Sequence, residues 1–253
     1  MQDNQEIRDT TDFGFTQVSP QEKTRRVKAV FSSVAGRYDL MNDLMSAGMH
    51  RLWKRFTVHL SQVRNGDRVL DLAGGTGDMA LLFSSLTGDR GRVVVSDIND
   101  SMLHAGRDKL LNRGILDGID YVQANAESLP FAAGSFDCIS MAFGLRNVTH
   151  KERALASIFE SLDYGGVAVI LEFSTLVLPV LRRLYDNYSF RMIPEIGRMV
   201  AGDRQSYQYL VESIRRHPDQ ETLKQMMEDA GFAQVCFYNL FGGIVAVHRG
   251  YKI

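Results

Sequence analysis

The chain has few cysteines, almost no net charge and no long apolar run, and each shortage removes a class of protein. Only Cys138 and Cys236 occur, far apart and in apolar, strand-like segments. There is no CxxC pair and no Cys/His cluster, so neither a metal site nor a disulfide framework is signalled, and both cysteines read as core residues. Lys and Arg number 29 against 30 Asp and Glu, a formal charge of −1, and the sequence pI is about 6.6. A nucleic-acid binder usually shows a basic excess or a basic stripe with exposed aromatics, so no nucleic-acid partner is expected. The short run Lys23, Arg25, Arg26, Lys28 reads as a solvated helix face. No apolar segment approaches the ~18 residues that a membrane span needs. Residues 1–15 are polar and acidic, without the basic and apolar regions of a signal peptide. A soluble chain in a reducing, cytoplasmic compartment is the expectation.

What is present is an ordinary globular composition, 45% hydrophobic over 253 residues, with a rhythm that changes along the chain. Residues 1–18 read as a flexible N-terminus. Ser19-Pro20-Gln21-Glu22 reads as a helix start, with Ser as N-cap, Pro at N1 and Glu closing a capping box. A helix over 20–34, a polar stretch over 36–48 and a second amphipathic helix from His50 to about Val63 form an N-terminal helical unit, residues 19–64. From residue 65 short apolar runs alternate with helical patterns, the signature of βαβ units. Strands are predicted at 68–72, 92–97, 120–123, 136–141 and 167–173. Residues 175–217 break the rhythm and read as a helical, functional insertion. The chain closes with strands at 234–240 and 244–248 joined by Phe241-Gly242-Gly243, a link short enough to demand an antiparallel hairpin. The fold class is therefore α/β: a doubly wound, mostly parallel seven-stranded sheet with a C-terminal antiparallel hairpin.

The central motif is Asp71-Leu72-Ala73-Gly74-Gly75-Thr76-Gly77, leaving a strand and entering a helix, with Asp97 ending the next strand 20 residues after Gly77. Glycines there let the backbone turn and approach a ligand closely. An acidic side chain at the second strand end can accept hydrogen bonds from ribose hydroxyls. Gly75 to Ala80 also fits the dinucleotide fingerprint, so a nicotinamide-dependent oxidoreductase is an alternative. Two carboxylates, Asp71 and Asp78, tilt the choice: near a helix N-terminus they would repel a pyrophosphate and favour the ammonium and sulfonium of S-adenosyl-L-methionine. The closing hairpin points the same way, since the six-stranded dinucleotide domain lacks it. Asn125 and Ala126 after the third strand could meet an adenine edge, or could form a plain turn. Arg146 and Asn147 after the fourth could contact substrate, or could be an N-cap and a solvated cation.

These residues resemble those of the ubiquinone/menaquinone biosynthesis C-methyltransferase family (UbiE/MenG), over nearly the whole chain. The most specific match is Tyr38-Asp39-Leu40-Met41-Asn42-Asp43-Leu44-Met45-Ser46 followed by His50 and Trp53. Residues 71–77, Gly144-Leu145-Arg146-Asn147-Val148, and His217-Pro218-Asp219-Gln220 with Leu223 are also similar to the family's. The resemblance implies a class I, Rossmann-like methyltransferase that takes S-adenosyl-L-methionine. It implies Asp71, Gly75, Thr76, Gly77, Asp97, Asn125 and Ala126 as cofactor-binding residues. A polyprenylated quinol is the implied substrate, with Tyr38, Asn42, Arg146, Asn147 and Tyr207 as candidate contacts. Other quinone-biosynthesis enzymes and the inner membrane surface, touched peripherally, are implied partners. Three departures stand out: Ala73 replaces the usual first glycine, Leu162-Asp163-Tyr164-Gly165-Gly166 replaces a Leu-Lys-Pro-Gly-Gly stretch, and Ala142 replaces a serine of some relatives. The second departure is expected to affect only a turn.

The implied reaction methylates a ring carbon, a poor nucleophile unless an adjacent hydroxyl loses its proton. His50, which titrates in the useful range, is the first candidate base, ahead of Asp39 and Tyr207; capping or packing is the alternative role for the histidine. Met41, Met45, Met49 and Trp53 read as core, although an apolar lid would suit an isoprenoid tail. Residues 36–53 and 175–210 are expected to cover the substrate.

Overall fold

The computed structural model describes residues 10–177, 195 and 204–253, and the side chains of Arg37, Met41, Leu44, Met45 and Arg204 are outside it. The described chain begins with a hairpin, β1 (Thr11–Phe13) and β2 (Thr16–Val18). Thr11–Val18 are thus not loose: Phe13 stacks on Tyr209 at 4.2 Å between ring centroids. Helix α1 (Pro20–Val34) starts as its cap dictates, the Glu22 N–H donating to Ser19 Oγ at 3.3 Å. The reciprocal half of the capping box is not made, because the Glu22 carboxylate is engaged by Arg25 and Arg26. The basic run is not uniformly solvated either: Lys23 is only 3% exposed. A 3-10 turn (Ala35–Arg37) leads into α2 (Tyr38–Ser46), so the polar stretch over 36–48 is itself largely helical. Helix α3 (His50–Ser61) follows, ended by Gln62 in the left-handed conformation.

The βαβ rhythm then holds: β3 (Arg68–Leu72), α4 (Asp78–Thr87), β4 (Arg92–Asp97), α5 (Asp100–Asn112), β5 (Ile119–Gln123), β6 (Phe136–Ala142), α6 (Lys151–Ser161) and β7 (Leu162–Phe173). Helix α7 (Arg204–Arg216) lies within the predicted helical insertion; residues 178–194 and 196–203 of that insertion lie outside the described residues. Helix α8 (Gln220–Asp229) precedes β8 (Ala233–Leu240) and β9 (Val245–Tyr251). The seven-stranded sheet has the order β5-β4-β3-β6-β7-β9-β8. Its first five strands are parallel, while β9 runs antiparallel to both β7 and β8.

Alternation along the strands decides what each face carries. Leu70 and Leu72 of β3, Ile139 and Met141 of β6 and Ile170 of β7 join α6 and α8 through Leu155, Ile158, Leu223 and Met227. Val69, Val93, Cys138 and Val169 face the other way and meet Met79 and Phe83 of α4. Cys138 is core as expected, whereas Cys236 is half-buried. Trp53 of α3 is also core, packed beside Phe143 and Phe173 with Met49 at its edge. The substituted stretch at residues 162–166 does more than turn: it begins β7, and Asp163 joins Asp137 on the Arg68 guanidinium at 3.0 and 2.8 Å. A lysine there would face that cation.

Candidate active site

In a doubly wound sheet the connections on either side of the order reversal diverge and leave a crevice at the carboxyl ends of the strands. Here the reversal lies between β3 and β6, and a cleft of about 790 Å³, its mouth included, opens there. Its floor is Leu72, Ala73 and Gly75 after β3, Asp97 to Asn99 after β4, Ala124 to Glu127 after β5, and Phe143, Gly144 and Asn147 after β6. Its cover is α1. Thr24, Val27, Lys28 and Phe31 recur at helical spacing and turn one stripe to the cleft, joined by Tyr38 from α2. Asn99 fastens that cover: its Oδ1 caps α5 by accepting from Ser101 N and Met102 N, and its Nδ2 donates to Lys28 O at 3.0 Å.

The glycine loop is held by close packing and by two carboxylates. A Cβ on Gly106 of α5 would lie 2.7 Å from the Gly75 carbonyl oxygen, so only glycine lets α5 lie against the loop. Ala73 takes φ +54°, and a Cβ on Gly144 would lie 2.6 Å from its methyl. The alanine that replaces the family's glycine thus occupies the space left by the missing side chain of Gly144. Asp97 Oδ2 accepts from Gly75 N at 3.1 Å and Oδ1 from Asn99 N at 2.9 Å. Burial pushes the Asp97 carboxyl up to about 6 against those two backbone bonds. A carboxylate offers about four acceptor positions, so Asp97 retains capacity toward the cleft.

Of the residues expected to bind cofactor, Gly75, Asp97, Asn125 and Ala126 line the cleft, while Asp71, Thr76 and Gly77 do not. Asp71 follows Val69 on the α4 face of β3, so it lies beneath α4 with 0% exposure, where its Oδ2 accepts from Ala80 N at 3.0 Å. Burial pushes its carboxyl up to about 7. Thr76 turns to α2 and donates to Asp39 Oδ1 at 3.0 Å. Gly77 N-caps α4 with φ +76°. Asn125 makes the turn foreseen as its alternative role, its Oδ1 accepting from Glu127 N at 3.0 Å, and the residue also lines the cleft.

These positions leave neither carboxylate free to repel a pyrophosphate. Asp71 is enclosed, and Asp78 is matched by Lys54 at 2.7 Å and Lys109 at 2.5 Å. Burial alone would raise the Asp78 carboxyl, but the two lysines outweigh it and hold it well below the ordinary carboxylate range. The alternative of a nicotinamide enzyme is instead set aside by the closing β9-β8 hairpin and by the relatives described below.

Of the expected substrate contacts, Tyr38 and Asn147 line the cleft. Burial pushes the Tyr38 phenol up to about 12, against the nearby Arg146 cation. Asn147 Oδ1 accepts from the Tyr209 hydroxyl at 3.0 Å. Asn42, Arg146 and Tyr207 do not line it. Arg146 is 6% exposed and donates to Glu172 Oε1 at 2.8 Å and to Phe143 O at 2.6 Å, holding the loop after β6. Tyr207 is buried with Val34, Leu210 and Val211 beneath the α1-α2 turn.

None of the three candidate bases lines the cleft. His50, 4% exposed, has its Nε2 2.8 Å from Asp43 Oδ1, and burial pushes its pKa down against that hydrogen bond. Asp39 is bound to Lys109 at 2.5 Å and to Thr76. Reading from sequence missed the α1 stripe, Asn99, Met102 and Phe143; the spacing of residues 24, 27, 28 and 31 was the available signal. The His217-Pro218-Asp219-Gln220 motif is structural: Asp219 caps α8, and the Gln220 amide donates to Thr175 O and Asn239 Oδ1.

The fold is shared by solved methyltransferases. One from Aquifex aeolicus, described as SAM-dependent, superposes with a TM-score of 0.61 at 14% identity, covering 85% of this chain and 98% of its own. A phosphoethanolamine N-methyltransferase 2 of Haemonchus contortus, solved with S-adenosyl-L-methionine, has a TM-score of 0.57 at 14% identity, covering 79% and 52%. Likeness in sequence is far stronger. The ubiquinone/menaquinone biosynthesis C-methyltransferase UbiE of Cronobacter sakazakii is 59% identical over 248 residues, 98% of this chain and 99% of that protein. That of Vibrio cholerae is 58% identical over 250 residues, 99% and 95%. A model of the ubiE/COQ5 methyltransferase family matches residues 19–252, and with a site built on the same motifs this chain belongs to that family.

Proposed function

We infer that this chain transfers a methyl group from S-adenosyl-L-methionine to a ring carbon of a polyprenylated quinol in menaquinone or ubiquinone biosynthesis. The observation that carries the reading is identity of 58–59% to proteins named for that reaction across nearly their full length, joined to a cleft whose residues suit the donor. Asp97 offers free acceptor positions for a ribose diol. Leu72, Met102, Met141, Val27 and Phe31 offer apolar walls for an adenine, with Asn125 and Ala126 at its edge. When bound, the donor supplies an electrophilic methyl group on a sulfonium.

The rest is done by the chain. Helix α1 and Tyr38 close over the cleft and exclude water. Phe143, Gly144 and Asn147 form the wall on the β6 side, where an aromatic acceptor can lie. Tyr38 keeps its proton at neutral pH and so orients an acceptor by hydrogen bonding rather than removing a proton. The His50 ring is committed to Asp43 outside the cleft and is not placed to act as the base. Among the described residues no helix is long and apolar enough to cross a membrane. Peripheral contact through the α1-α2 cover would bring a lipid-soluble quinol within reach.

The test supplies labelled methyl donor with a demethylated naphthoquinol and, separately, a demethylated benzoquinol, and asks which becomes labelled. Absence of label in both would overturn the reading. In parallel, Asp97→Asn is expected to weaken S-adenosylhomocysteine binding about 10- to 100-fold by calorimetry, the value of a charge-assisted hydrogen bond.

A further inference from the structure

A second cavity, of about 670 Å³ with its mouth, lies between the β1-β2 hairpin, α1, α6 and α7, and it is strongly cationic. Lys23, Arg146, Lys151 and Arg216 line it, against a single carboxylate, Asp12. Arg146 is paired with Glu172 beneath, yet its Nε is buried with no hydrogen-bond partner. The two lysines are in a less comfortable position. Lys23 Nζ lies 3.1 Å from Val148 O and 3.4 Å from Thr11 Oγ1, and Lys151 Nζ lies 3.5 Å from the same Val148 carbonyl. Two ammonium groups therefore converge on one neutral oxygen. Among the described residues neither has a carboxylate within ion-pair distance. Asp12 already accepts from the Gln17 amide, and Glu127 Oε1 from the N–H groups of Thr149 and His150. Burial, helped by Lys151, pushes the Lys23 ammonium down to about 8, and burial lowers Lys151 as well.

A buried cation is costly unless a counter-charge meets it. Two such ammonium groups facing one cavity therefore call for an anion. We propose that this cavity is an oxyanion site that takes a phosphate group, held between Lys23 and Lys151, with Arg146 and Thr149 on its wall and Arg216 at its exposed rim. Thr149 also lines the transfer cleft, so the two sites share a wall. The same chemistry is offered by a soluble phosphate ester and by the headgroup of an anionic phospholipid. The site does not depend on which quinol is the acceptor.

The experiment follows thermal unfolding of the full chain as sodium phosphate replaces sodium chloride at constant ionic strength. Binding raises Tm as the logarithm of one plus the ratio of phosphate concentration to Kd, by a few degrees at large excess. The Kd fitted to that curve is expected to rise at least about 10-fold in Lys151→Gln and in Lys23→Gln, the loss of one charge-assisted contact. A second arm sediments the protein with phosphatidylcholine vesicles, with and without phosphatidylglycerol. A response to inorganic phosphate that the variants lose supports the site with a soluble ligand. Phosphatidylglycerol-dependent sedimentation that the variants lose, without a phosphate response, supports it with a lipid headgroup. No response in either arm, or a response that Lys151→Gln leaves unchanged, overturns it. Should Lys23→Gln fail to fold, Lys151→Gln and the rim variant Arg216→Gln carry the test.

Discussion

The contact between Ala73 and Gly144 invites a double-mutant cycle. Gly144 has φ −104° and ψ −38°, a conformation alanine adopts freely, so any cost of Gly144→Ala is steric. Its new methyl would lie 2.6 Å from Ala73 Cβ and 3.1 Å from Met141 Cε, whereas carbon atoms rest at about 3.5–4.0 Å. The methionine is flexible and can give way; the Ala73 methyl, fixed to the loop, cannot. Overpacking of this kind costs about 1–3 kcal/mol, which for a chain of this size is about 2–4 °C of Tm per kcal/mol. Ala73→Gly alone is expected to be nearly neutral. It relieves about 1 kcal/mol of left-handed strain and adds unfolded-state freedom worth about 0.4–1 kcal/mol. In the double variant the clash is gone, so its stability should return to that of Ala73→Gly, a coupling of about 1–3 kcal/mol. Urea unfolding of the four proteins measures each corner. If Gly144→Ala lies within about 0.5 kcal/mol of wild type, or if the double variant recovers nothing, the packing argument is wrong.

Three further outcomes are expected. Asp71 has its folded pKa raised to about 7, above the unfolded value of about 3.9, so the folded state holds the extra proton. Stability from this group is full below about 4 and falls as pH rises to about 7. Asp71→Asn should therefore gain Tm relative to wild type between pH ~4 and ~7, and a constant difference would refute the assignment. Glu172→Gln leaves the Arg146 cation buried without its counter-charge and should cost about 3–5 kcal/mol in urea unfolding; a loss below about 1 kcal/mol would show that the pair is solvated. His50→Gln should keep turnover within about 3-fold while lowering stability by about 1 kcal/mol, and a collapse of kcat with unchanged Tm would restore His50 as the base.

The elements legible in advance were those that obey a local rule. Ser19 and Pro20 specify where α1 begins, short apolar runs rich in Val and Leu between helical patterns specify β3 and β4, and Phe241-Gly242-Gly243 is too short for anything but a hairpin. The helix over Tyr38–Ser46 escaped because it is short, lying between Gly36 and Gly48, and because Asp39, Asn42 and Asp43 are poor helix formers. The hairpin at Thr11–Val18 escaped because its stability comes from Phe13 stacking on Tyr209, nearly two hundred residues away.

By itself the sequence determined the order of elements from β3 onward, the glycine loop, the acidic end of β4 and the family, since each is written in contiguous residues whose backbone preferences or spacing are local. Tertiary structure decided which polar side chains reach the cleft. Asp71 and Thr76 sit inside the motif yet point elsewhere, because the pleat of β3 turns one under α4 and the loop turns the other to α2. Asn99 and the α1 stripe lie outside the motif yet build the site. The same holds for charge: whether Asp78 repels a phosphate, or Lys23 is solvated, depends on which partners the fold brings within a few ångströms, and Coulomb energy depends on that distance and on burial rather than on position along the chain.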